Sequence, residues 1–153
     1  GNWSLNLSIA TPVSGSFTAL TDGIYDIVVT VSDNAGNSVA DASTDELRID
    51  TTDPVIPTIN DLITNQAKPI INGTAEVGSD ISLLINGVSF TTVTAADGTW
   101  EIDLENDTPT SGGPLANLSD GVYDIAVTST DDVGNSSNDT TFTSFSSICS
   151  WLT

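Results

Sequence analysis

Histidine and methionine are absent from these 153 residues, cysteine occurs once (Cys149), and two basic residues stand against 21 acidic ones. Each scarcity excludes something. Without histidine the usual general base and the commonest zinc ligand are gone. A single cysteine rules out an intramolecular disulfide framework. At a net charge of −19 nothing can replace the counterions of a phosphate backbone, so nucleic acid is excluded as a partner, and anionic membrane surfaces are disfavoured on the same ground. No segment is long and apolar enough to insert in a bilayer. No signal peptide is evident either. The chain opens inside a module, so targeting signals are expected to lie outside it.

What the chain does contain is a repeat. DGIYDIVVTVSDNAGNS at 22–38 returns as DGVYDIAVTSTDDVGNSS at 120–137. Asp22 matches Asp120, Tyr25 matches Tyr123, Asp33 matches Asp131, Gly36 matches Gly134 and Asn37 matches Asn135, all 98 apart. Upstream, Trp3 matches Trp100 at a spacing of 97. Self-similarity at one period marks a tandem array of like modules. Aliphatic and β-branched residues are plentiful and no apolar run sustains a 3.6-residue period, so the expected class is all-β.

Residues 1–49 read as the C-terminal half of a module. Trp3, Leu5 and Leu7 alternate with polar residues, which is strand patterning. A polar loop over 8–21, a strand over 24–32, a loop over 33–38 and a last strand near 46–49 follow. Two prolines and two aspartates over 50–57 mark a boundary, with 50–54 as a short, semi-rigid linker. Residues 55–145 read as a complete module. Strands are expected at 55–59 (A), 69–75 (B), 81–85 (C), 89–93 (C′), 99–104 (E), 122–130 (F) and 140–145 (G). Asn86-Gly87 between two apolar runs is a hairpin signal. Seven short strands at this spacing suggest a two-sheet sandwich. Tyr123 and Tyr25, each at the start of an F strand, fit a tyrosine corner. The tail, 146–153, fits no copy of the repeat and is too apolar, with Ile148, Trp151 and Leu152, to be solvated. It reads equally as an edge-covering strand, the start of another module or a cloning remnant.

No Ser–His–Asp set, phosphate-binding glycine loop or zinc spacing is present. Carboxylate pairs such as Asp131-Asp132 lie in turns with no cleft of aromatics, so an enzyme is not expected. Metal binding is a separate matter. In a sandwich whose strands alternate up and down, the start of A and the loops BC (76–80), C′E (94–98) and FG (131–137) share one pole. The loops AB (60–68) and EF (105–121) share the other. Asp97, Asp131 and Asp132 are therefore expected to converge on the linker acids Asp50 and Asp53, with Asp22 facing the same junction. Carboxylates are hard oxygen ligands suited to Ca²⁺, and this cluster would repel itself when empty. The competing reading is that these aspartates only cap turns and keep the chain soluble. By the same geometry, Asp33 and Asn37 face a preceding module and are expected to bind metal weakly here, if at all.

The linker DTTDP, then KPIINGTAEVGSDISLLING, ADGTWEIDL and LSDGVYDIAVTSTDDVGNSS, resembles the bacterial Ig-like repeat of giant RTX-type or biofilm-associated secreted adhesins. The resemblance implies an immunoglobulin-like β-sandwich of about seven strands, in tandem with a partial copy. It implies a structural extender at the bacterial cell surface, rigidified by Ca²⁺ at inter-module junctions, that holds a ligand-binding region away from the cell. The ligands it implies are Asp50, Asp53, Asp131 and Asn135, with Asp97 in the A-D-G-T-W turn; Asp132 departs from the family pattern. The partners implied are neighbouring modules of the same polypeptide. The alternative is a glycan- or peptide-binding module, on the strength of the long EF loop. The first half lacks strands A to C′, so either partial order or strand exchange with another chain through residues 1–49 is expected.

Overall fold

The computed structural model describes residues 2–139 and 143–147. The chain divides into two compact units, one ending at Thr51 and one beginning at Thr52. All the regular structure among the described residues is β. No helix among them is long and apolar enough to cross a membrane.

The first unit holds four short strands: β1 (Gly23–Tyr25), β2 (Thr30–Ser32), β3 (Ser38–Ala40) and β4 (Leu47–Ile49). β1 pairs antiparallel with β4, and β2 with β3. The strand expected at Trp3–Leu7 does not form. Asn6 instead closes a turn, its carbonyl accepting from Ala10 N at 2.9 Å and its side chain from Ser8 N at 3.0 Å. The expected single strand over 24–32 is interrupted between β1 and β2.

The second unit explains both departures. It contains β5 (Thr58–Ile59), β6 (Ile63–Thr64), β7 (Ile70–Thr74), β8 (Asp80–Ile85), β9 (Val88–Val93), β10 (Thr99–Asp103), β11 (Gly121–Thr130), β12 (Ser136–Asn138) and β13 (Thr143–Ser147). One sheet runs β10-β7-β5, the other β6-β13-β11-β8-β9, with β12 on β11. The Trp100 strand, β10, is held by β7. Trp3 has no such partner strand, so its backbone has no ladder to join. Likewise β11 is held by β8 from Ile125 to Thr130. The first unit has no β8, and its F strand fails over the stretch matching 124–127.

Strands B, C, C′, E and F stand within a residue of expectation. Strand A is shorter, Thr58–Ile59, because Pro54 and Pro57 offer no amide to a ladder. Strand G is two pieces: Thr128 faces Asn138 while Ile125 faces Thr143, so three steps along β11 are matched by five on the other side. Part of the expected G strand (140–142) and most of the tail, including Cys149, lie outside the described residues. β13 runs two residues further than expected, into the tail, and β6, which the sequence reading missed, adds to it in parallel.

The core lies between the sheets. Ile71, Ile81, Leu83, Ile85, Phe90, Trp100, Ile102, Ile125 and Val127 are buried there, at alternate positions along their strands. Gly73 permits β5 to close on β7, since a Cβ there would lie 1.8 Å from the Thr58 carbonyl oxygen. The EF loop is used structurally. Leu115 and Leu118 plug the core. Ser111 and Thr110 hydrogen-bond the backbone of Ser89 at 3.1 and 2.8 Å, covering the edge of β9.

Candidate metal-binding pole

The loops expected at one end of the second unit are there. Glu76 of BC accepts from Val55 N at the start of strand A, 3.1 Å, and Gly78 N donates to Thr94 O of C′E, 3.1 Å. Ser137 of FG donates to the Pro54 carbonyl, 2.7 Å, which ties that loop to the residue after Asp53. Glu76, Ser79, Asp131 and Asp132 line one cavity of about 290 Å³. The opposite end gathers AB and EF residues, with Lys68 3.6 Å from Glu105.

Asp131 organises the FG loop. Its Oδ1 accepts from Val133 N (3.0 Å), Gly134 N (2.7 Å) and Asn135 N (2.9 Å), and its Oδ2 accepts from Asn135 Nδ2 (2.8 Å). Desolvation, which alone would raise the acid's pKa, is outweighed by these hydrogen bonds, led by the Asn135 side chain, and the carboxyl sits below its ordinary range. Asn135, taken from the resemblance as a ligand, thus spends its amide within the loop. Asp97 accepts from Thr99 Oγ1 (2.6 Å) and Thr99 N (3.0 Å), and the Thr99 side chain is the main cause of its lowered pKa. Both aspartates therefore cap their own turns.

Of the acids expected from the first unit, Asp22 accepts from Thr51 N (2.9 Å) and Thr51 Oγ1 (2.8 Å), which fixes the start of the linker. Asp50 pairs with Arg48 at 2.6 Å. Glu76 is the acid that sequence reasoning missed. Its position in a loop assigned to this pole was the available signal.

The donor set consists of carboxylate and carbonyl oxygens, the chemistry Ca²⁺ takes. Among the described residues no three acidic side chains gather closely enough to hold an ion.

The repeat carries through to atomic detail. Thr30, Val31 and Ser32 face Ala40, Val39 and Ser38 as Thr128, Ser129 and Thr130 face Asn138, Ser137 and Ser136. Asp33 accepts from Ala35 N, Asn37 N and Asn37 Nδ2 as Asp131 does from its own loop. The Tyr25 hydroxyl donates to Thr21 O at 2.7 Å and the Tyr123 hydroxyl to Ser119 O at 2.9 Å, so both tyrosine corners exist.

No curated protein matches this chain significantly. Among solved structures it is similar to a Ca²⁺-stabilised adhesin that helps an Antarctic bacterium reach out and bind ice, with 29% identity over 78% of this chain and a TM-score of 0.36. It is similar also to a 1.5-MDa bacterial ice-binding adhesin described for its retention at the host cell surface, with the same identity, coverage and TM-score. The chain spans 29% and 39% of the length of those two. The family model for the bacterial Ig-like domain matches residues 58–146, which is more than half of the sequence, and the chain belongs to that family.

Proposed function

We propose that this chain is a structural extender segment of a large bacterial surface adhesin, rigidified by Ca²⁺ at the junction between its two units. In this role it holds a ligand-binding region away from the cell. The reading rests on one observation above the others. In support of it, Glu76 of BC, bonded to the start of strand A, lines one cavity with Asp131 and Asp132 of FG, and the Ser137–Pro54 bond ties the FG loop to the chain next to Asp53. The ligands proposed are Asp50, Asp53, Asp97, Asp131, Asp132 and Asn135, with Asp22 from the first unit. Several of these groups already hold turns, so a bound ion would be met by oxygens whose positions are set beforehand, which lowers the ordering cost of binding. When bound, Ca²⁺ would supply positive charge that relieves the repulsion among the acids.

The alternative, a glycan- or peptide-binding module, drew on the length of the EF loop. That loop fills the core and covers an edge, so no observation favours the second reading.

The test is thermal unfolding in Ca²⁺, with Mg²⁺ as control. An ion that binds the folded state at a hundred times its Kd stabilises by about 2.7 kcal/mol. For a domain of this size that is a rise in Tm of roughly 10 °C or more. The rise is expected to be specific to Ca²⁺ and to vanish in Asp53→Ala. Asp131→Ala is less informative, because it also removes the loop's own acceptor. An Asp53→Ala variant that keeps the full Ca²⁺ shift would remove Asp53 from the site, and no shift at all would overturn the calcium role.

A further inference from the structure

A sheet that ends in an open strand invites another strand. Among the described residues the two sheets of the second unit end in β10 and β5, and in β6 and β9. Three of these edges are blunted. β5 and β6 are two residues long. β10 carries Glu101 and Asp103 among its five residues. β9 is different: its six residues, VSFTTV, include neither charge nor proline. It lies in a stretch, 81–96, without a charged residue, in a chain whose net charge is −19.

The cover that the EF loop gives this edge reaches only Ser89. Ser89 N donates to Ser111 O at 3.1 Å and Thr110 N to Ser89 O at 2.8 Å. Gly112 permits the close approach, since a Cβ there would lie 2.2 Å from Gly87 O. At the far end Ala95 N donates to Thr99 O at 2.8 Å. Between these points the strand alternates. Phe90 and Thr92 stand opposite Leu83 and Ile81, and Thr94 N donates to Ser79 O, so the even-numbered residues spend their backbone groups on the β8 side. The odd-numbered residues turn theirs outward, as Ser89 and Ala95 do. Thr91 and Val93 therefore hold their amides and carbonyls at the open edge, and both residues are exposed.

We propose that this window is a pairing surface for a second copy of the chain, β9 against β9, antiparallel about a twofold axis at Thr92. Thr91 of each copy then faces Val93 of the other. Each such pair exchanges both of its hydrogen bonds, so the two pairs use every open donor and acceptor of the window. Threonine facing valine is also a favourable β-branched cross-strand pair. A register centred on Thr91 needs the backbone of Ser89, which the EF loop already holds. Charge selects the occupant. Copies at −19 repel one another, and β9 is the edge of some length at which two can meet without a carboxylate in either pairing strand. The pairing sets the two second units in opposite directions. On the extender reading, on which this consequence rests and the pairing does not, it joins chains that reach from facing surfaces rather than neighbours on one surface.

The full chain in a Cys149→Ser background supplies the test, at millimolar concentration in about 1 M NaCl, where the Debye length is about 3 Å and the charge of the copies is screened. Sedimentation is expected to show a concentration-dependent rise of about twofold in mass, as a closed pair requires. Residues facing each other at a non-hydrogen-bonded position lie about 4.5 Å apart at Cα, within disulfide range. Thr92→Cys is therefore expected to form an intermolecular disulfide under mild oxidation. Thr91→Cys and Val93→Cys, each tested alone, are expected not to, because in this register neither meets its own copy. Thr91→Pro removes only an amide that points away from β8, so it is expected to melt as the parent does and to remain a monomer. The cysteine series decides alone if Thr91→Pro does not fold. A folded Thr91→Pro chain that still dimerises, disulfide yields equal at 91, 92 and 93, or a parent chain that stays monomeric throughout would each overturn the proposal.

Discussion

At Asp131 one carboxylate oxygen accepts three amides of its own loop and the other accepts the Asn135 side chain, and Asp33 holds its loop in nearly the same way. Asp33 is lowered in pKa, chiefly by the Asn37 side chain, and Asp131 is lowered by its hydrogen bonds against an opposing desolvation. A carboxyl that ionises more readily folded than unfolded contributes stability above the ordinary carboxylate pKa. That contribution is lost as pH falls through the lowered folded value. Urea unfolding is therefore expected to weaken from about pH 4 downward. Because acid also relieves the repulsion of a −19 chain, the informative quantity is a difference. Asp131→Asn is expected to lower the urea midpoint at pH 7 and to have little effect at pH 2. An equal loss at both pH values would show that the ionised form of Asp131 has no special role. This much was legible in the sequence, since an aspartate followed by glycine and asparagine is a turn signal with a mechanism. The part played by Glu76 was not, because its bond to Val55 N joins residues 21 apart that only the folded sandwich brings together.

Strands were legible where side-chain alternation and tight turns defined them locally. β8 and β9 flank Asn86-Gly87, whose positive φ values of 48° and 79° are those a two-residue hairpin requires. What the sequence did not disclose are elements defined by distant partners. β6 is two residues long and exists by pairing with β13, more than 80 positions away. The interruption of the first F strand depends on a missing neighbour rather than on its own residues, since Ile24–Ser32 and Val122–Thr130 have near-identical patterns. The close approach of β5 to β7 is a further case. A Cβ at Gly73 would meet Thr58 O at 1.8 Å and the Trp100 ring at 2.8 Å. Backbone must move to admit it, so Gly73→Ala is expected to destabilise the second unit by about 3 kcal/mol. Chemical denaturation followed by the buried Trp100 measures this, and a loss below about 1 kcal/mol would mean that β5 can lift away at little cost.

The chain carries two copies of one F–G hairpin, with Ile27 of the first 40% exposed and its counterpart Ile125 5% exposed. In the second unit the hairpin is buried by its companion strands, and its loops bring acids to the pole beside the linker. In the first unit the same register persists without that cover. The hairpin's local hydrogen bonds and turns therefore specify its register, while the continuity of its F strand depends on pairing with β8. On the proposed account, calcium at the linker converts two separately folded units into one stiff segment. The most direct test is the distribution of distances between a spin label on each unit. Labels at Ser14→Cys and Thr108→Cys, both exposed positions, in a Cys149→Ser background would be read by pulsed electron resonance with and without Ca²⁺. The account predicts a broad distribution in chelator that narrows sharply in millimolar Ca²⁺ but not in Mg²⁺, and that stays broad in Asp53→Ala. A distribution of the same width with and without Ca²⁺ would contradict it.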